Sequence, residues 1–326
     1  MSLLGIDLGG TKLALAIISS EGRILARDVA GLHGRRGPDV GRLITAKVAE
    51  ILGRSEAEGL KVESVGISVP GISHSSTGTV WAPNIEGWDD YPLLREVQAI
   101  CGGIPVTIDS DRACYILGEI WQGNARGCKD AVYLSVGTGI GAGILINGEI
   151  LRGSHDIAGC IGWMALQRPY DSEYSGCGCF EYHASGEGIP KVARRLLEED
   201  PGYNGNLRAV PPGSLKASDV FSAWEKGDIL ARRVIESCVG FWGMAVANLV
   251  SLFNPEKIIF GGGVFGPGEV LIPSIMTEAS RWAQPVGMKQ VTLEISALGG
   301  DAGVYGAGYL ALRKIREQDK NQQYDI

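Results

Sequence analysis

The chain has 326 residues, of which 45% are hydrophobic and 21% are charged, the balance of a soluble globular protein. Its net charge of −7 disfavours partners such as nucleic acid or anionic lipid, because proteins that bind them present basic surfaces. No apolar run reaches the length of a membrane span, and the apolar N-terminal run carries Asp7 and lacks a basic start, so no signal peptide is predicted. Seven cysteines, an odd number, fit free thiols. We expect a cytoplasmic protein.

Strand and helix patterns alternate along the chain, which predicts an α/β protein. The predicted strands are 3–8, 13–18, 23–29, 63–69, 104–108, 131–136, 142–146, 257–261 and 291–296. The predicted helices are 38–58, 112–122, 187–199, 218–225, 229–253, 268–283 and 301–316. Glycine is unusually frequent, with 48 residues, and it clusters at strand ends. That placement indicates backbone that approaches a ligand.

Two stretches of the chain share one design. The N-terminal LGIDLGGTKLALAIISSEGRIL (4–25) is echoed by VYLSVGTGIGAGILINGEIL (132–151), each a strand, a glycine-rich turn with threonine, a strand, a second turn and a strand. The pair predicts two related domains that face each other across a small-molecule cleft. A glycine and threonine turn offers open N–H groups and a hydroxyl for phosphate oxygens. Either turn alone fits an ordinary hairpin, but the pair, with Asp7 before one of them, favours phosphate binding.

Four segments resemble the nucleotide-binding motifs of the superfamily of sugar kinases, heat-shock ATPases and actin, and they follow one another along the chain in the same order as those motifs. They are DLGGT (7–11), LSVGTGIGAGILINGEIL (134–151), NPEKIIFGGGVF (254–265) and GDAGVYGAGYLA (300–311). Within this superfamily the chain is most similar to the ROK family of repressors and sugar kinases, from residue 4 to about residue 312. The resemblance implies two actin-like (ribonuclease H-like) domains with mixed central sheets flanked by helices, at 1–118 and 119–304. It also implies that a C-terminal helix, 305–326, packs on the first domain.

The resemblance implies a site for ATP with Mg²⁺. It assigns Gly10, Thr11 and Lys12 to the γ-phosphate, Gly137 and Thr138 to the β-phosphate, and Gly261, Gly262 and Gly263 to the ribose and α-phosphate. Gly9 and Gly139 are the remaining nucleotide-binding residues that it implies. Asp7 would hold Mg²⁺ through water, because Mg²⁺ sheds its hydration shell reluctantly. Two alternatives stay open: Lys12 as a solvated charge, and the third glycine turn as a packing turn at a strand end.

The catalytic candidate lies in VTIDSDRACYILGE (106–119), where a predicted strand runs into a helix. The matching segment of ROK kinases reads Glu-Asn-Asp-Ala-Asn, with Leu-Gly-Glu following, so the resemblance places the general base at Asp111. Such a base must lie about 3 Å from the attacking hydroxyl. The alternative is that Asp109, Ser110 or Asp111 caps the helix. Ser110 replaces an asparagine that contacts the sugar in the family.

Residues 155–181 depart from the family pattern. The family's Ala-Gly-Glu-Ile-Gly-His, whose Glu and His bind sugar hydroxyls, reads Ala-Gly-Cys-Ile-Gly-Trp at 158–163. The histidine is also a zinc ligand in the family, and Ser172 and Tyr174 occupy the places of two zinc cysteines, whereas Cys179 matches the third. An alternative zinc set consists of Cys160, Cys177 and Cys179 with His155 or His183. We expect buried thiols rather than zinc.

Part of the family's sugar site is retained. Glu181 matches a sugar-binding glutamate, and PGISHSSTGTVWAPNIEGWDDYP (70–92) resembles the sugar-side loop, which makes Gly71 and Asn84 candidate contacts. With Ser110 and Asp111 these are the predicted substrate residues. Trp163 is expected to fill the space of the missing histidine and metal rather than to stack on a sugar.

These features predict an ATP-dependent carbohydrate kinase that phosphorylates a hydroxyl of a hexose, an aminosugar or a related polyol. Polyphosphate is an open alternative to ATP as the donor, and family analogy suggests a homodimer. A transcriptional regulator is disfavoured, because the phosphate loop starts at residue 4, ahead of which no DNA-binding helix pair would fit, and because the charge is acidic. A catalytically degenerate protein that binds sugar or nucleotide is the remaining alternative, suggested by the missing Glu and His.

Overall fold

A computed structural model describes residues 1–324, without the side chains of Pro212 and residues 321–324. It divides into two compact units, each with its own hydrophobic core. The first unit contains Met1–Gly127, Leu151–Ala158 and the segment that begins at Ala297. The second contains Cys128–Ile150 and Gly159–Ser296.

Over its described residues, the first unit contains seven strands and four α-helices. Its strands are β1 (Ser2–Leu8), β2 (Lys12–Ser19), β3 (Ile24–Gly31), β4 (Val62–Val69), β5 (Ile72–His74), β6 (Thr79–Trp81) and β7 (Val106–Ser110). Its helices are α1 (Pro38–Ala57), α2 (Leu93–Ile100), α3 (Asp111–Gln122) and α10 (Ala302–Tyr324). The five-stranded sheet has the order β3-β2-β1-β4-β7, in which the first three strands are antiparallel and the last two run parallel to β1. The carboxyl ends of β1, β4 and β7 therefore lie at one edge.

Helix α10 packs on this sheet through glycines. A Cβ at Gly5 of β1 would lie 2.5 Å from the Val304 carbonyl oxygen, and one at Gly66 of β4 would collide with the Ala307 carbonyl. Only glycine allows the helix backbone to approach the strands this closely. The chain's last helix thereby covers the middle of its first sheet.

The second unit repeats the sheet design. Its strands are β8 (Ala131–Val136), β9 (Ile140–Ile146), β10 (Glu149–Ile150), β11 (Lys257–Gly261) and β12 (Thr292–Ile295), in the order β10-β9-β8-β11-β12. Its helices are α4 (Cys179–Ala184), α5 (Gly188–Glu199), α6 (Ala217–Glu225), α7 (Ile229–Phe253), α8 (Ile272–Trp282) and α9 (Pro285–Met288). Again an antiparallel meander is followed by two parallel strands. The predicted repeat of one meander design is confirmed.

Helix α7 is the core helix of the second unit. Asp228 caps it by accepting hydrogen bonds from the Leu230 and Ala231 amides, and Asn254 ends it in a left-handed conformation. Its 25 residues are long and apolar enough to cross a membrane, contrary to the expectation that no run has that length. However, 61% of its most apolar window is buried inside the protein. Burial in the core of the second unit explains the apolar composition of α7.

The unit boundaries differ from the predicted domain boundaries. The predicted division between residues 118 and 119 falls inside α3, a continuous helix whose Gly118 packs on the Ala302 carbonyl of α10. The division between 304 and 305 falls inside α10. Residues 151–158 belong to the first unit, where Asp156 accepts hydrogen bonds from the Ser75 amide and hydroxyl. Residues 325 and 326 of the predicted C-terminal helix lie outside the described residues.

Candidate active site

Asp7 lies at the carboxyl end of β1, opposite Ser68 in the parallel register with β4. The Ser68 hydroxyl donates to Asp7 Oδ1 at 2.7 Å. Gly303, in the first turn of α10, borders the same carboxylate so closely that a Cβ there would overlap it. Burial raises the pKa of Asp7 and the Ser68 hydrogen bond opposes that rise. The carboxylate is therefore held by three elements of the first unit.

The three polar residues at the start of α3 have separate roles. The Ser110 hydroxyl caps the helix by accepting from the Ala113 amide at 3.3 Å. Asp109 Oδ2 accepts from the Arg152 guanidinium, with Nη2 at 2.5 Å and Nε at 3.1 Å. Asp111 Oδ1 accepts from the Arg112 amide at 2.7 Å. Since Ser110 is the N-cap, the helix does not need Asp111 for capping.

Asp111 ionises near neutral pH. Burial raises the pKa of its carboxyl group to about 6, against the opposing effect of the Arg112 guanidinium, and the Asp7 charge raises it further. A carboxylate with a pKa near the working pH is suited to accept a proton and to release it again. Asp7 at the end of β1 and Asp111 at the start of α3 thus interact electrostatically within the first unit.

The Arg112 side chain is unusual. Its Nε and Nη2 atoms are buried and have no hydrogen-bond partner among the side chains and backbone that the structure describes. Buried guanidinium nitrogens without partners lower stability, and a cation in the first turn also opposes the helix dipole. The Arg112 guanidinium lowers the pKa of Asp111 and thereby favours its ionised form.

The β1–β2 turn presents its backbone to solvent. The Gly9 amide donates to the Lys12 carbonyl at 2.9 Å, and Gly10, Thr11 and Lys12 are exposed. No atom lies within 4 Å of the place where a Cβ of Gly10 would be, and this glycine has no positive φ. The fold itself gives no reason for glycine at this position.

In the second unit, the other two predicted phosphate turns lie side by side. A Cβ at Gly262, whose φ is 88°, would collide with the Val136 carbonyl and approach the Gly137 amide. The Gly137 amide donates to the Gly139 carbonyl at 3.0 Å, which closes the β8–β9 turn around Thr138. Gly261 is needed because a side chain would collide with the Tyr133 hydroxyl. Gly137 and Gly263, in contrast, face open space.

Glu181 lies in α4 beside the β8–β9 turn. Its Oε2 accepts from the Ile140 amide at 2.6 Å, and the same oxygen would lie 2.6 Å from a Cβ at Gly139 and 2.9 Å from one at Gly162. Burial raises the pKa of Glu181, and the Ile140 hydrogen bond opposes this rise. The predicted sugar residue and the predicted β-phosphate turn are therefore in direct contact.

The two candidate sugar contacts in the sugar-side loop, Gly71 and Asn84, lie in different surroundings. Gly71 has a φ of 85°, and a side chain there would collide with the Trp81 carbonyl, so the turn itself requires this glycine. Asn84 is exposed in the loop that follows β6. Both positions stay predictions as sugar contacts.

The region of the altered zinc motif is filled by aromatic rings. The His183 Nε2 atom is 2.8 Å from the Tyr174 hydroxyl, and its ring stacks on Phe241 with centroids 4.3 Å apart. Burial lowers the pKa of His183 to about 4, so the ring is neutral. Over residues 1–324, no three His, Cys, Asp or Glu side chains are grouped closely enough to hold a metal ion. Since His183 is already engaged, these residues do not fit a zinc site.

The expectation for Trp163 is wrong. Its side chain is 58% exposed, whereas Tyr174 is buried and packs edge to face with Tyr182 and His183. Tyr174 occupies the interior of this region, which leaves Trp163 on the surface.

Within the first unit the surroundings of Asp7 suit a hydrated Mg²⁺, and within each unit the glycine turns suit phosphate groups. Carboxylate and hydroxyl oxygens are ligands that a hydrated Mg²⁺ prefers, and Asp7 and Ser68 supply them. Gly10, Gly137 and Gly263 leave space that a Cβ would occupy, as close approach of phosphate groups requires.

Comparison with known proteins decides the family. A family model described as the ROK family matches residues 3–314. The chain belongs to the ROK family. A ROK relative, the glucokinase of Halalkalibacterium halodurans, is 33% identical over 98% of this chain and 97% of its own. A beta-glucoside kinase of Listeria monocytogenes is 28% identical over 96% and 98%.

A solved ROK structure extends the comparison to the fold. The ROK family glucokinase of Streptomyces griseus, in complex with glucose and AMPPNP, superposes with a TM-score of 0.77 and 30% identity over 96% of this chain and all of that one. The prediction of an α/β protein with two actin-like domains is thereby confirmed. The sequence identified the turns, Asp7, Asp111 and Glu181 as candidates, but it did not identify Ser68, Gly303 or Arg112. Gly303 lies within the quoted motif 300–311, so its position was available as a signal.

Proposed function

We propose that this ROK protein is an ATP-dependent carbohydrate kinase that phosphorylates a hydroxyl of a hexose, an aminosugar or a related polyol. Relatives named glucokinase and beta-glucoside kinase support the reaction class over nearly the full length of the chain. The observation that carries the proposal is Asp111, a carboxylate with a pKa of about 6 whose helix is capped by a different residue.

Asp111 is the general base in this proposal. Its Oδ1 is fixed by the Arg112 amide, so the carboxylate is oriented before substrate arrives. The other oxygen accepts the proton of the attacking sugar hydroxyl as the phosphoryl group is transferred in line. Orientation of this kind removes part of the entropic barrier to the reaction. Ser110, whose hydroxyl is engaged in the cap, and Asn84 and Gly71 of the sugar-side loop complete the acceptor contacts proposed for the first unit.

The nucleotide residues are divided between the units. In the first, Gly10 and Thr11 hold the γ-phosphate with Gly9 and Lys12 beside them, and Asp7 holds Mg²⁺ through water. In the second, Gly137, Thr138 and Gly139 hold the β-phosphate, and Gly261, Gly262 and Gly263 approach the α-phosphate and ribose. When bound with ATP, Mg²⁺ would neutralise charge on the phosphate oxygens. Glu181 accepts hydroxyl hydrogens of the sugar through Oε1, since Oε2 is engaged by Ile140.

The test is ADP release from Mg-ATP across a panel of hexoses, aminosugars, polyols and simple glycosides. We expect turnover with at least one neutral sugar, and loss of nearly all of it in Asp111→Asn. AMPPNP binding without turnover on the whole panel would instead support the degenerate binding protein. Full activity of Asp111→Asn would exclude Asp111 as the base. Polyphosphate in place of ATP tests the second donor.

Two further features stay proposals. A kinase that uses ATP is expected in the cytoplasm, in agreement with free rather than paired cysteines in the described chain. The homodimer rests on family analogy, and light scattering at micromolar protein concentration tests it.

A further inference from the structure

Arg112 carries hydrogen-bond donors that the fold leaves unused. Its backbone amide donates to Asp111 Oδ1, but the side-chain atoms Nε and Nη2 are buried and have no partner among the residues that the structure describes. A buried donor without a partner destabilises the folded state, and the cost is larger for a charged group. Such an atom in a native protein calls for a partner that binds from outside the chain.

The two unpaired nitrogens lie on one edge of the guanidinium group. The N–H bonds of Nε and Nη2 point the same way, side by side, and this planar fork matches two oxygens of one carboxylate or phosphate group. A neutral sugar hydroxyl offers one oxygen, whereas the fork presents two donors and a positive charge. The unused donors of Arg112 therefore fit one bidentate anion.

The effect of Arg112 on Asp111 does not account for this fork. The guanidinium charge lowers the pKa of Asp111, but Asp111 Oδ1 is held by the backbone amide, and Nε and Nη2 remain unpaired. The ROK segment Glu-Asn-Asp-Ala-Asn has alanine at the position of Arg112, so the aspartate of that segment has no adjacent arginine. The arginine is a departure of this chain from that segment.

Arg112 lies close to the proposed base. It follows Asp111 directly in the first turn of α3, where consecutive Cα atoms are about 3.8 Å apart and their side chains diverge by about 100°. Lys12 and Asp301 are charged groups that shift the pKa of Asp7, the proposed Mg²⁺ ligand, whereas Arg112 shifts the pKa of Asp111. We therefore expect an anion on Arg112 to lie within the span of one sugar ring from the hydroxyl that Asp111 deprotonates.

We propose that the phosphoryl acceptor is an anionic monosaccharide, in which a carboxylate or phosphate group on the sugar is bound by the Nε and Nη2 edge of Arg112. The inference rests on the proposed function through the role given to Asp111. The Arg112 side chain is partly exposed, and its rotation towards solvent breaks no hydrogen bond of Nε or Nη2. The ion pair offsets the repulsion between the bound anion and the Asp111 carboxylate, so Arg112 determines which acceptor is preferred.

Calorimetric binding in the presence of Mg-AMPPNP tests this preference without depending on turnover. The probes are glucose, glucuronate, its neutral analogue glucuronamide, glucose 1-phosphate and glucose 6-phosphate, each also in the manno and galacto configurations. We expect at least one anionic probe to bind roughly 10- to 100-fold more tightly than its neutral counterpart, the range of a hydrogen bond to a charged group. Glucuronate and the sugar phosphates separate the two kinds of anion.

Variants of Arg112 assign the preference to its guanidinium group. Arg112→Met should abolish the difference in affinity between the anionic probe and its neutral counterpart. Arg112→Lys keeps the charge but loses the fork, so it should retain only part of that difference. The matched control is Arg95→Met, which removes an exposed arginine from the first turn of α2 and should keep the full difference. Urea unfolding verifies that Arg112→Met is folded, as the loss of two unpaired buried nitrogens leads us to expect.

Three outcomes overturn the inference. The first is that no anionic probe binds more tightly than its neutral counterpart, and the second is that Arg112→Met keeps the preference. The third is that Arg112→Met weakens binding of AMPPNP alone as much as binding of the anionic probe, which would assign the fork to the nucleotide. Failure of the proposed function looks different. In that case the anionic probe binds in an Arg112-dependent manner, as inferred, but no ADP is released with any acceptor.

Discussion

The Ser68 hydroxyl donates a 2.7 Å hydrogen bond to Oδ1 of Asp7 across the parallel pair β1 and β4. The contact is fixed by strand register, because these two residues are partners in the ladder. It acts against burial, which raises the pKa of Asp7, by favouring the ionised carboxylate. Ser68 thus maintains the charge that the proposed water-mediated contact of Asp7 with Mg²⁺ requires.

Ser68→Ala should weaken Mg-AMPPNP binding, and more strongly at pH 5.5 than at pH 8. Without the hydrogen bond the pKa of Asp7 rises further, so protonation competes with the cation at mildly acidic pH. Titration calorimetry across this pH range measures the effect. The matched control is Ser64→Ala, a fully buried serine of the same strand that donates to the Pro105 carbonyl. Equal losses of affinity in both variants would contradict a specific role for Ser68.

Asp111→Asn should lower turnover by several orders of magnitude and at the same time stabilise the protein at neutral pH. The folded state keeps the Asp111 proton up to about pH 6, whereas the unfolded chain releases it near pH 4. Ionisation therefore lowers wild-type stability between these values. The variant should gain roughly 1–2 kcal/mol above pH 7 and lose this gain towards pH 4. Urea unfolding at pH 4.5 and 7.5 checks the sign, and a variant less stable at pH 7.5 would contradict it.

On the acid side of its pH profile, kcat/KM should rise with pH through about 6, because Asp111 must lose its proton to act as the base. This rise is the acid limb of the profile. Arg112→Met should move this limb to higher pH, because Arg112 lowers the pKa of Asp111. The same variant should have a Tm a few degrees higher, since it removes two buried nitrogens that lack partners.

Two variants make the Arg112 result specific. Arg112→Lys keeps the positive charge and should leave the limb close to its wild-type position. Arg95→Met removes an exposed arginine from the first turn of α2, which controls for the helix dipole alone. If the acid limb of the kcat/KM profile lies at the same pH in Arg112→Met as in the wild type, a group other than Asp111 determines it.

Gly303→Ala should abolish activity, because its Cβ would overlap the Asp7 carboxylate and displace it. In an ordinary helix the same change stabilises by roughly 0.5–1 kcal/mol. Gly53→Ala in α1 is the control, since no atom lies within 4 Å of its added Cβ. We expect that control to be fully active and slightly more stable. Turnover and thermal unfolding of the two variants check the contrast, and an active Gly303→Ala would contradict it.

Gly137→Ala and Gly262→Ala should fail in different ways. Gly137 has open space and no positive φ, so its variant should fold normally and lose AMPPNP affinity by at least tenfold. Gly262 has a φ of 88° and abuts the Val136 carbonyl, so its variant should be destabilised by about 2 kcal/mol or more. Calorimetric binding and urea unfolding separate the two effects. Normal nucleotide affinity in Gly137→Ala would remove Gly137 from the phosphate site.

The sequence predicted the buried elements well, for a physical reason. The predicted strands 131–136 and 257–261 and the predicted helix 229–253 coincide with β8, β11 and α7, because continuous burial leaves long apolar runs. Helix α2 was not predicted, because its eight residues, with Leu93 and Val97 buried, are too few to distinguish a helix from other short apolar runs. The short hairpin of β5 and β6 lies within residues 70–92, which the resemblance identifies only as the sugar-side loop.

For the site, local motifs gave the candidates but not their surroundings. Nothing in the residues near Asp7 identifies Ser68 or Gly303, because these contacts arise from strand pairing and from a helix at the other end of the chain. The choice among three capping residues before α3 also required coordinates. Trp163 was wrongly expected to be buried, because sequence alone does not show that Tyr174 already fills that space.

The contacts of Gly5 and Gly66 with α10 constrain the order of events during synthesis. The first sheet emerges from the ribosome early, but the helix that covers it is translated only after the whole second unit. Until then the face of β1 and β4 that carries Gly5 and Gly66 lacks the helix that packs on it in the native protein. Synthesis of α10, rather than completion of the first half of the chain, is the event that makes the surroundings of the Asp7 carboxylate native, because Gly303 borders that carboxylate.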